Sequence, residues 1–116
     1  MTNPSKDRGT RWETQVVNYL KLFGFPYSRR TALAGAQDKG DIYLGDDPPG
    51  GQVTTECKDH KQIALAEFVD EAIAEAKNAG TPLGVAIIKR RGRGVSQAYV
   101  VTTLEQWVQD RIRRSD

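Results

Sequence analysis

An acid, a cysteine and a lysine follow one another at Glu56, Cys57 and Lys58, inside the strand-like stretch TTECKDH of residues 54–60. Strand side chains alternate between the two faces of a sheet, so Glu56 and Lys58 point the same way and Cys57 points to the other face. Cys57 is then a small buried hydrophobe. A carboxylate and an ammonium placed together suit a metal-dependent hydrolytic site. The alternative is an ordinary ion pair between Glu56 and Lys58 on an exposed face.

Asp41, at the start of the predicted strand before this one, is a second carboxylate for the same site. The midpoint of residues 41 and 56 falls between Pro48 and Pro49, in the turn GDDPPGG. A symmetric antiparallel hairpin would therefore place Asp41 opposite Glu56, with β-carbons about 5 Å apart. Like charges at that distance need neutralisation, and hard ions such as Mg²⁺ prefer carboxylate oxygens. The alternative is that Asp41 only ends a turn.

Glu13 is a third acid with two possible roles. The stretch TRWE has the form of a capping box, with Thr10 at the N-cap and Glu13 at the third helical position. Glu13 also shares a helical side with Val17 and Leu20, and that side is expected to face the sheet near the hairpin. The sequence leaves both roles open.

These residues must be positioned by a small α/β domain. Hydrophobic periodicity and turn residues predict the element order α-β-β-β-α-β-β-α, which is a mixed central β-sheet flanked by helices. The apolar stretch LGVAIIK is expected to be a central strand covered on both faces. The predicted helices are residues 10–24, 64–79 and 103–114, and the predicted strands are residues 25–29, 41–44, 52–58, 83–89 and 96–103.

Composition sets the broad class. The chain has 116 residues and a net charge of +2, which suits one domain, residues 1–116, with residues 1–8 expected to be flexible. No apolar run approaches the roughly 18 residues of a membrane helix, and no signal-peptide core is present. The single cysteine favours a reducing compartment, so we expect a cytoplasmic protein that is not secreted. Grouped arginines either bind phosphates or simply solvate loops and helix ends.

The residues resemble the PD-(D/E)XK nuclease superfamily. The resemblance lies in GDI on one strand and ECK on the next, between a leading helix with a glutamate and a following amphipathic helix. The chain is most similar to archaeal and phage-type Holliday-junction resolvases, through RGTRWE, FGF, SRRTALAG and VAIIK, over residues 8–90. Gly40 stands where the superfamily's nominal proline precedes the aspartate.

This resemblance implies a restriction-endonuclease-like core and a metal-dependent, structure-selective DNA endonuclease that hydrolyses phosphodiester bonds. The main-chain carbonyl of Cys57 would join Asp41, Glu56 and Glu13 in holding one or two Mg²⁺ ions, with Mn²⁺ expected to substitute. Lys58 would stabilise charge on the phosphate. The residues expected to contact DNA are Arg11, Arg29, Arg30, Lys39, Arg90, Arg91 and Arg93.

A junction has two symmetric strands to cut, so a resolvase is expected to be a homodimer. The dimer surface would be the Ala-rich helix 64–79 or the terminal helix around Trp107. Another nuclease of the same fold, for nicking, repair or restriction, is an alternative. A non-catalytic nucleic-acid-binding module would keep the arginines without a metal site. A small structural interaction protein leaves the aligned acids unexplained.

In cells, the expected setting is a prokaryote or a phage-infected cell, and the expected process is DNA recombination.

Overall fold

The computed structural model describes residues 3–31, 40–45 and 53–115. In chain order the elements are α1 (Pro4–Leu22), β1 (Arg29–Arg30), β2 (Ile42–Tyr43), β3 (Val53–Lys58), α2 (Leu65–Ala79), β4 (Leu83–Ile88), a 3-10 turn (Val95–Gln97), β5 (Tyr99–Val101) and α3 (Leu104–Ser115). The predicted α/β class is confirmed. The observed order differs from the predicted one by the 3-10 turn between β4 and β5.

In the described part of the chain, the strands form one mixed sheet in the order β1-β2-β3-β4-β5. Strands β3 and β4 are parallel, and the other neighbours are antiparallel. Helix α2 connects β3 to β4, as a parallel pair requires. Every residue of β4 is buried, so the prediction of a central strand covered on both faces is confirmed.

The core lies on both faces of the sheet. On one face, α1 contributes Trp12, Val16 and Val17 to a cluster that includes Cys57 and Ile87. On the other face, residues of α2 pack against β4, and the buried members of that cluster are Phe68, Val69, Ala72, Ala86 and Ile88. The sheet is therefore a layer between two helices, and each face of β3 meets a different helix.

Helix α1 begins earlier than the sequence predicts. Asn3 is its N-cap, with Oδ1 accepting the amide of Ser5 at 3.0 Å, and Pro4 occupies the first turn. The prediction that Thr10 is the N-cap is wrong, because Thr10 lies inside the helix and its carbonyl accepts the hydroxyl of Thr14. Residues 4–8, expected to be flexible, form the first turns of α1.

The C-terminal end of α2 follows an ordinary capping rule. Gly80 ends α2 in the left-handed conformation, with φ of 73°, which glycine adopts readily, and the predicted end of this helix at residue 79 is confirmed. Within the described ranges, no helix is long and apolar enough to cross a membrane.

Candidate active site

Alternate side chains of β3 point toward α2 on one face of the sheet and toward α1 on the other. The hydroxyl of Thr54 meets that of Thr81 at the end of α2, and Lys58 reaches Glu71 on α2. Cys57 belongs instead to the core cluster on the α1 side. Glu56 and Lys58 therefore share the α2 face, and Cys57 lies buried on the opposite one, as the alternation predicts.

Glu56 is a buried acid with an incomplete set of partners. It is 7 % exposed, and its Oε1 lies 3.6 Å from Nζ of Lys58. Its other oxygen, Oε2, is buried and has no hydrogen-bond partner within residues 3–31, 40–45 and 53–115. The alternative of an exposed ion pair between Glu56 and Lys58 is therefore wrong. A buried carboxylate oxygen left without a donor is costly, and such an atom is typical of a site that receives a cation or a ligand.

Lys58 is held by a second acid that the sequence analysis did not identify. Its Nζ forms an ion pair with Oε2 of Glu71 and lies 5.2 Å from the centre of the Phe68 ring. Phe68 is buried on α2, and Glu71 follows one helical turn later at the edge of the same face. The sequence could have indicated Glu71 through this spacing, because an acid one turn after a buried aromatic residue lies next to the face that packs on the sheet.

Asp41 precedes β2 rather than opening it, and hydrogen bonds with Thr31, Thr55 and Cys57 fix it. Its amide donates to the carbonyl of Thr55 at 2.8 Å, and its own carbonyl accepts the amide of Thr31 at 2.8 Å. Its Oδ2 accepts the amide of Cys57 at 2.7 Å.

The sheet register supports the predicted neighbourhood of the two acids. Strand β2 pairs with β3 through Ile42 and Thr55, and continuing that register by one residue sets Asp41 opposite Glu56. The amide of Asp41 departs from this ladder, since it bonds to Thr55 and not to Glu56. The carboxylate of Asp41 consequently takes over the hydrogen bond to the main chain of Cys57.

Gly40 allows the chain to turn into this position. It has φ of 95°, which a proline, fixed near −65°, cannot adopt. A β-carbon there would lie 2.7 Å from Cγ2 of Thr54 and 3.0 Å from the carbonyl oxygen of Thr55. The backbone before Asp41 therefore lies against β3 in a conformation that requires glycine.

Glu13 lies on the α1 side of the sheet and binds Arg30. Its Oε1 accepts from Nε of Arg30 at 3.0 Å. Burial raises the pKa of the Cys57 thiol, and the charges of Asp41 and then Glu13 raise it further, against the lowering effect of Lys58. Glu13 is thus close enough to act on Cys57. With Thr10 inside the helix, the capping-box role of Glu13 is lost.

The acids do not form a three-ligand cluster. Among residues 3–31, 40–45 and 53–115, no group of three or more His, Cys, Asp or Glu side chains is arranged to hold a metal ion. The remaining donor set is Asp41, Glu56 and the carbonyl of Cys57. These are hard oxygen donors, and Mg²⁺ is commonly bound by one or two carboxylates while it keeps several waters. Oε2 of Glu56, which no described residue partners, adds an oxygen open to a cation, and this set fits Mg²⁺.

A basic edge of Lys89, Arg91 and Asp59 lies where the parallel strands β3 and β4 end, on the α1 side of the sheet, since Nζ of Lys89 lies 5.6 Å from the centre of the Trp12 ring. The amide of Lys89 donates to the carbonyl of Lys58 at 2.9 Å, which joins the two strand ends. Asp59 lies 2.9 Å from Nε of Arg91 and 3.9 Å from Nζ of Lys89. Asp59, whose side chain is nearly buried, was also missed by the sequence analysis.

The other arginines predicted to bind DNA are spread over the surface. Arg29 stacks on the Tyr43 ring and Arg90 on the Tyr99 ring. Two more are exposed, Arg11 in α1 and Arg93 after β4. Lys39 lies outside the described residues.

Comparisons of the chain with protein-family models, with curated proteins and with solved structures found no match. Functional inference therefore depends on the geometry of the chain's own residues. The features that carry it are the buried acid Glu56, its neighbour Lys58, the fixed carboxylate of Asp41 and the basic edge at the ends of β3 and β4.

Proposed function

We propose that this protein is a Mg²⁺-dependent DNA endonuclease with a site of the PD-(D/E)XK type. The observation that carries the proposal is the buried Oε2 of Glu56, which has no hydrogen-bond partner among the described residues although Lys58 lies beside it. Asp41, fixed against the main chain of the same strand, supplies the second carboxylate. The layered sheet with a helix on each face agrees with a restriction-endonuclease-like core.

Each residue of the proposed site has a role that follows from its chemistry. Asp41, Glu56 and the carbonyl of Cys57 would hold the metal, and the amide of Cys57 orients the carboxylate of Asp41. Mg²⁺ held by these residues would supply an activated water and would neutralise charge on the phosphate. The ammonium of Lys58 is placed beside Glu56 to stabilise negative charge on the phosphate oxygens. Glu13 is the further acid, acting from the α1 side.

The basic edge at the ends of β3 and β4 suits a nucleic-acid backbone. Lys89 and Arg91 share the carboxylate of Asp59, so these three side chains together keep a net positive charge. Contacts from such residues position DNA without reading its sequence. We propose a branched DNA substrate, with a four-way junction as the preferred form, cut by a homodimer that carries one site per chain.

A non-catalytic nucleic-acid-binding module is the second candidate. It is favoured by two ion pairs, Lys58 with Glu71 and Arg30 with Glu13, which engage site residues in salt bridges. In such a module the acids would only hold basic side chains in place. Both candidates predict DNA binding that weakens steeply with salt, so only cleavage separates them.

The deciding experiment is cleavage of labelled DNA. A four-way junction, its linear duplex arms and a flap are each incubated with the protein and Mg²⁺, Mn²⁺ or EDTA. We expect metal-dependent nicking of the junction, lost in Asp41→Asn and Glu56→Gln while junction binding is retained. Glu67→Gln, on the exposed side of α2, is the matched control and should cut normally. Binding without cleavage of any substrate would establish the module instead, and normal cutting by Glu56→Gln would refute the proposed site.

A further inference from the structure

Strands β1 and β2 form a two-stranded ribbon at one edge of the sheet. Ile42 belongs to the core cluster on the α1 side, so the next side chain along β2, Tyr43, points to the α2 face. Arg29 pairs with Tyr43 across the two strands, and its guanidinium carbon lies 4.8 Å from the centre of the Tyr43 ring. Helix α2 packs on β3 and β4, and both side chains of this pair are exposed. The pair therefore presents a flat, positively charged surface to solvent.

A second exposed tyrosine adjoins this pair. Tyr27 is 73 % exposed and Tyr43 is 41 % exposed. Gly45, two residues after Tyr43, is in close contact with Tyr27, since a β-carbon on Gly45 would lie 2.9 Å from the β-carbon of Tyr27. Tyr27 therefore lies against the end of β2. We call Tyr27, Arg29 and Tyr43 the ribbon patch.

The ribbon patch lies next to the proposed metal ligands. Asp41 precedes Tyr43 by two residues, about 7 Å along the strand. Glu56 points to the α2 face, as Tyr43 does, because its neighbour Cys57 lies in the cluster on the α1 side. Continuing the register of β2 on β3 sets Tyr43 across from Thr54, two residues before Glu56. These separations are short enough for one strand of DNA to contact the acids with a phosphate and the patch with a nearby base.

We propose that the ribbon patch stacks an unpaired base beside the phosphate that is cut. Exposed aromatic rings on a sheet surface hold single-stranded bases by stacking, and the guanidinium of Arg29 adds a cation–π contribution. A base inside a duplex is covered on both faces by its neighbours, so the patch favours nucleotides at a branch, where that stacking is interrupted. This role rests on the proposed endonuclease function, and it gives Tyr43 the part of distinguishing branched from fully paired DNA.

Binding of a partly unpaired DNA tests the stacking without cleavage. The probe is a labelled duplex with one single-stranded arm, and fluorescence anisotropy in EDTA compares it with the same duplex fully paired. We expect the wild type to prefer the armed duplex. Tyr43→Leu should bind the armed duplex roughly tenfold more weakly, because one stacked base contributes about that factor. Tyr43→Phe keeps the ring and should bind it as the wild type does.

Two controls separate stacking from stability and from charge. A contact between Arg29 and Tyr43 also stabilises the ribbon, and unchanged binding of the paired duplex by Tyr43→Leu will show that the variant is folded. An arm of abasic nucleotides keeps every phosphate but offers no ring, so the wild type and Tyr43→Leu should bind it equally. Arg29→Gln should weaken binding of both arms, because it also removes a charge that phosphates attract.

Tyr99→Leu is the matched variant. Tyr99 also lies under an arginine, with the guanidinium carbon of Arg90 4.7 Å from its ring centre, but it is on β5 at the opposite edge of the sheet. Tyr99→Leu should bind both arms as the wild type does. An equal loss by Tyr99→Leu and Tyr43→Leu would overturn the assignment of stacking to the ribbon patch.

Three further results would overturn the proposal. These are a wild type with no preference for the armed duplex, tight binding of that duplex by Tyr43→Leu, and a loss in Tyr43→Leu that persists on the abasic arm. Failure of the endonuclease function is a separate result, because it would leave these binding differences intact while no DNA is cut in Mg²⁺.

Discussion

The ammonium of Lys58 is bound by the carboxylate of Glu71 on α2, across the face that also buries Glu56. Lys58 thereby balances one buried acid and one partly exposed acid. Loss of the lysine would leave Glu56 without a countercharge in a site that water scarcely reaches.

Lys58→Met should lower the free energy of unfolding by about 3 kcal/mol, the usual cost of breaking a buried ion pair from one side. Glu71→Gln should cost less than about 1 kcal/mol, because the side chain of Glu71 is 42 % exposed and water screens its pair with Lys58. Adding Glu56→Gln to Lys58→Met should recover most of the loss, since the orphaned charge is gone. Urea denaturation of the four proteins measures this. Equal stability of Lys58→Met and the wild type would contradict the burial of the pair.

Lys58→Met and Glu71→Gln should also differ in their rates of DNA cleavage. Lys58→Met removes the charge that stabilises the phosphate and should abolish cutting. Glu71→Gln can still accept a hydrogen bond from Lys58 and should keep activity within about tenfold. A Glu71→Gln enzyme as inactive as Lys58→Met would instead give Glu71 an essential part in the reaction.

Burial and the charges of Asp41 and Glu13 raise the pKa of the Cys57 thiol above its ordinary value, about 8.5 in an unfolded chain. The folded protein then keeps the proton at a pH where the unfolded chain loses it. The stability associated with Cys57 is fully present below the unfolded pKa and declines as pH rises toward the folded one, by about 1.4 kcal/mol per pH unit.

Between about pH 8 and about pH 10, wild-type stability should therefore fall by roughly 2 kcal/mol more than that of Cys57→Ala. Urea titrations at the two pH values test this, and the variant cancels the contribution of other titrating groups. Two proteins with parallel pH dependence would show that Cys57 is not buried beside these charges. The native thiol should also resist alkylation until the protein unfolds.

The sequence predicted the elements whose signals are local. The apolar run of β4, the glycine that ends α2 and the alternation in β3 depend on neighbouring residues, and each was placed correctly. The start of α1 was missed because its first turns are polar and lack periodicity, although Asn3 and Pro4 form a recognisable helix start.

The partners within the site were harder to predict because they are distant in sequence. Glu71 is 13 residues from Lys58, and Arg91 is 32 residues from Asp59. Only the packing of α2 and β4 on β3 brings them together. The apolar side chains of Leu104, Val108 and Ile112 on α3 are exposed. The hydrogen bond of Gln106 to Gly84 turns the other side of this helix toward the sheet, and no local pattern in the sequence predicts that direction.

Gly40 and Gly9 should respond to alanine in opposite ways. Gly40→Ala forces a positive φ on a residue whose β-carbon would strike Thr54 and Thr55, and should cost roughly 1–3 kcal/mol. Gly9 lies within α1 and has nothing within 4 Å of its would-be β-carbon, so Gly9→Ala should stabilise by about 0.5–1 kcal/mol. Thermal unfolding measures both.

The two glycine variants should also differ in activity. Gly40→Ala shifts the adjoining Asp41 and should lose cleavage, whereas Gly9→Ala should cut normally. Normal cutting by a destabilised Gly40→Ala protein would show that the position of Asp41 is not critical.

Substitution of Glu13 tests whether this acid takes part in cleavage or only holds Arg30 in place. Its visible partner is Arg30, which is well exposed, so Glu13→Gln should change stability by no more than about 1 kcal/mol. If Glu13 served only to hold Arg30, then Glu13→Gln and Arg30→Gln would have the same effects on DNA binding and on cleavage.

We expect instead that Glu13→Gln lowers the cleavage rate on the order of a hundredfold with DNA binding intact. Arg30→Gln should mainly weaken binding and reduce its salt dependence. Single-turnover rates at saturating protein, with binding measured across a salt series, distinguish the two. Equal effects of both substitutions on both quantities would reduce Glu13 to a positioning residue for Arg30.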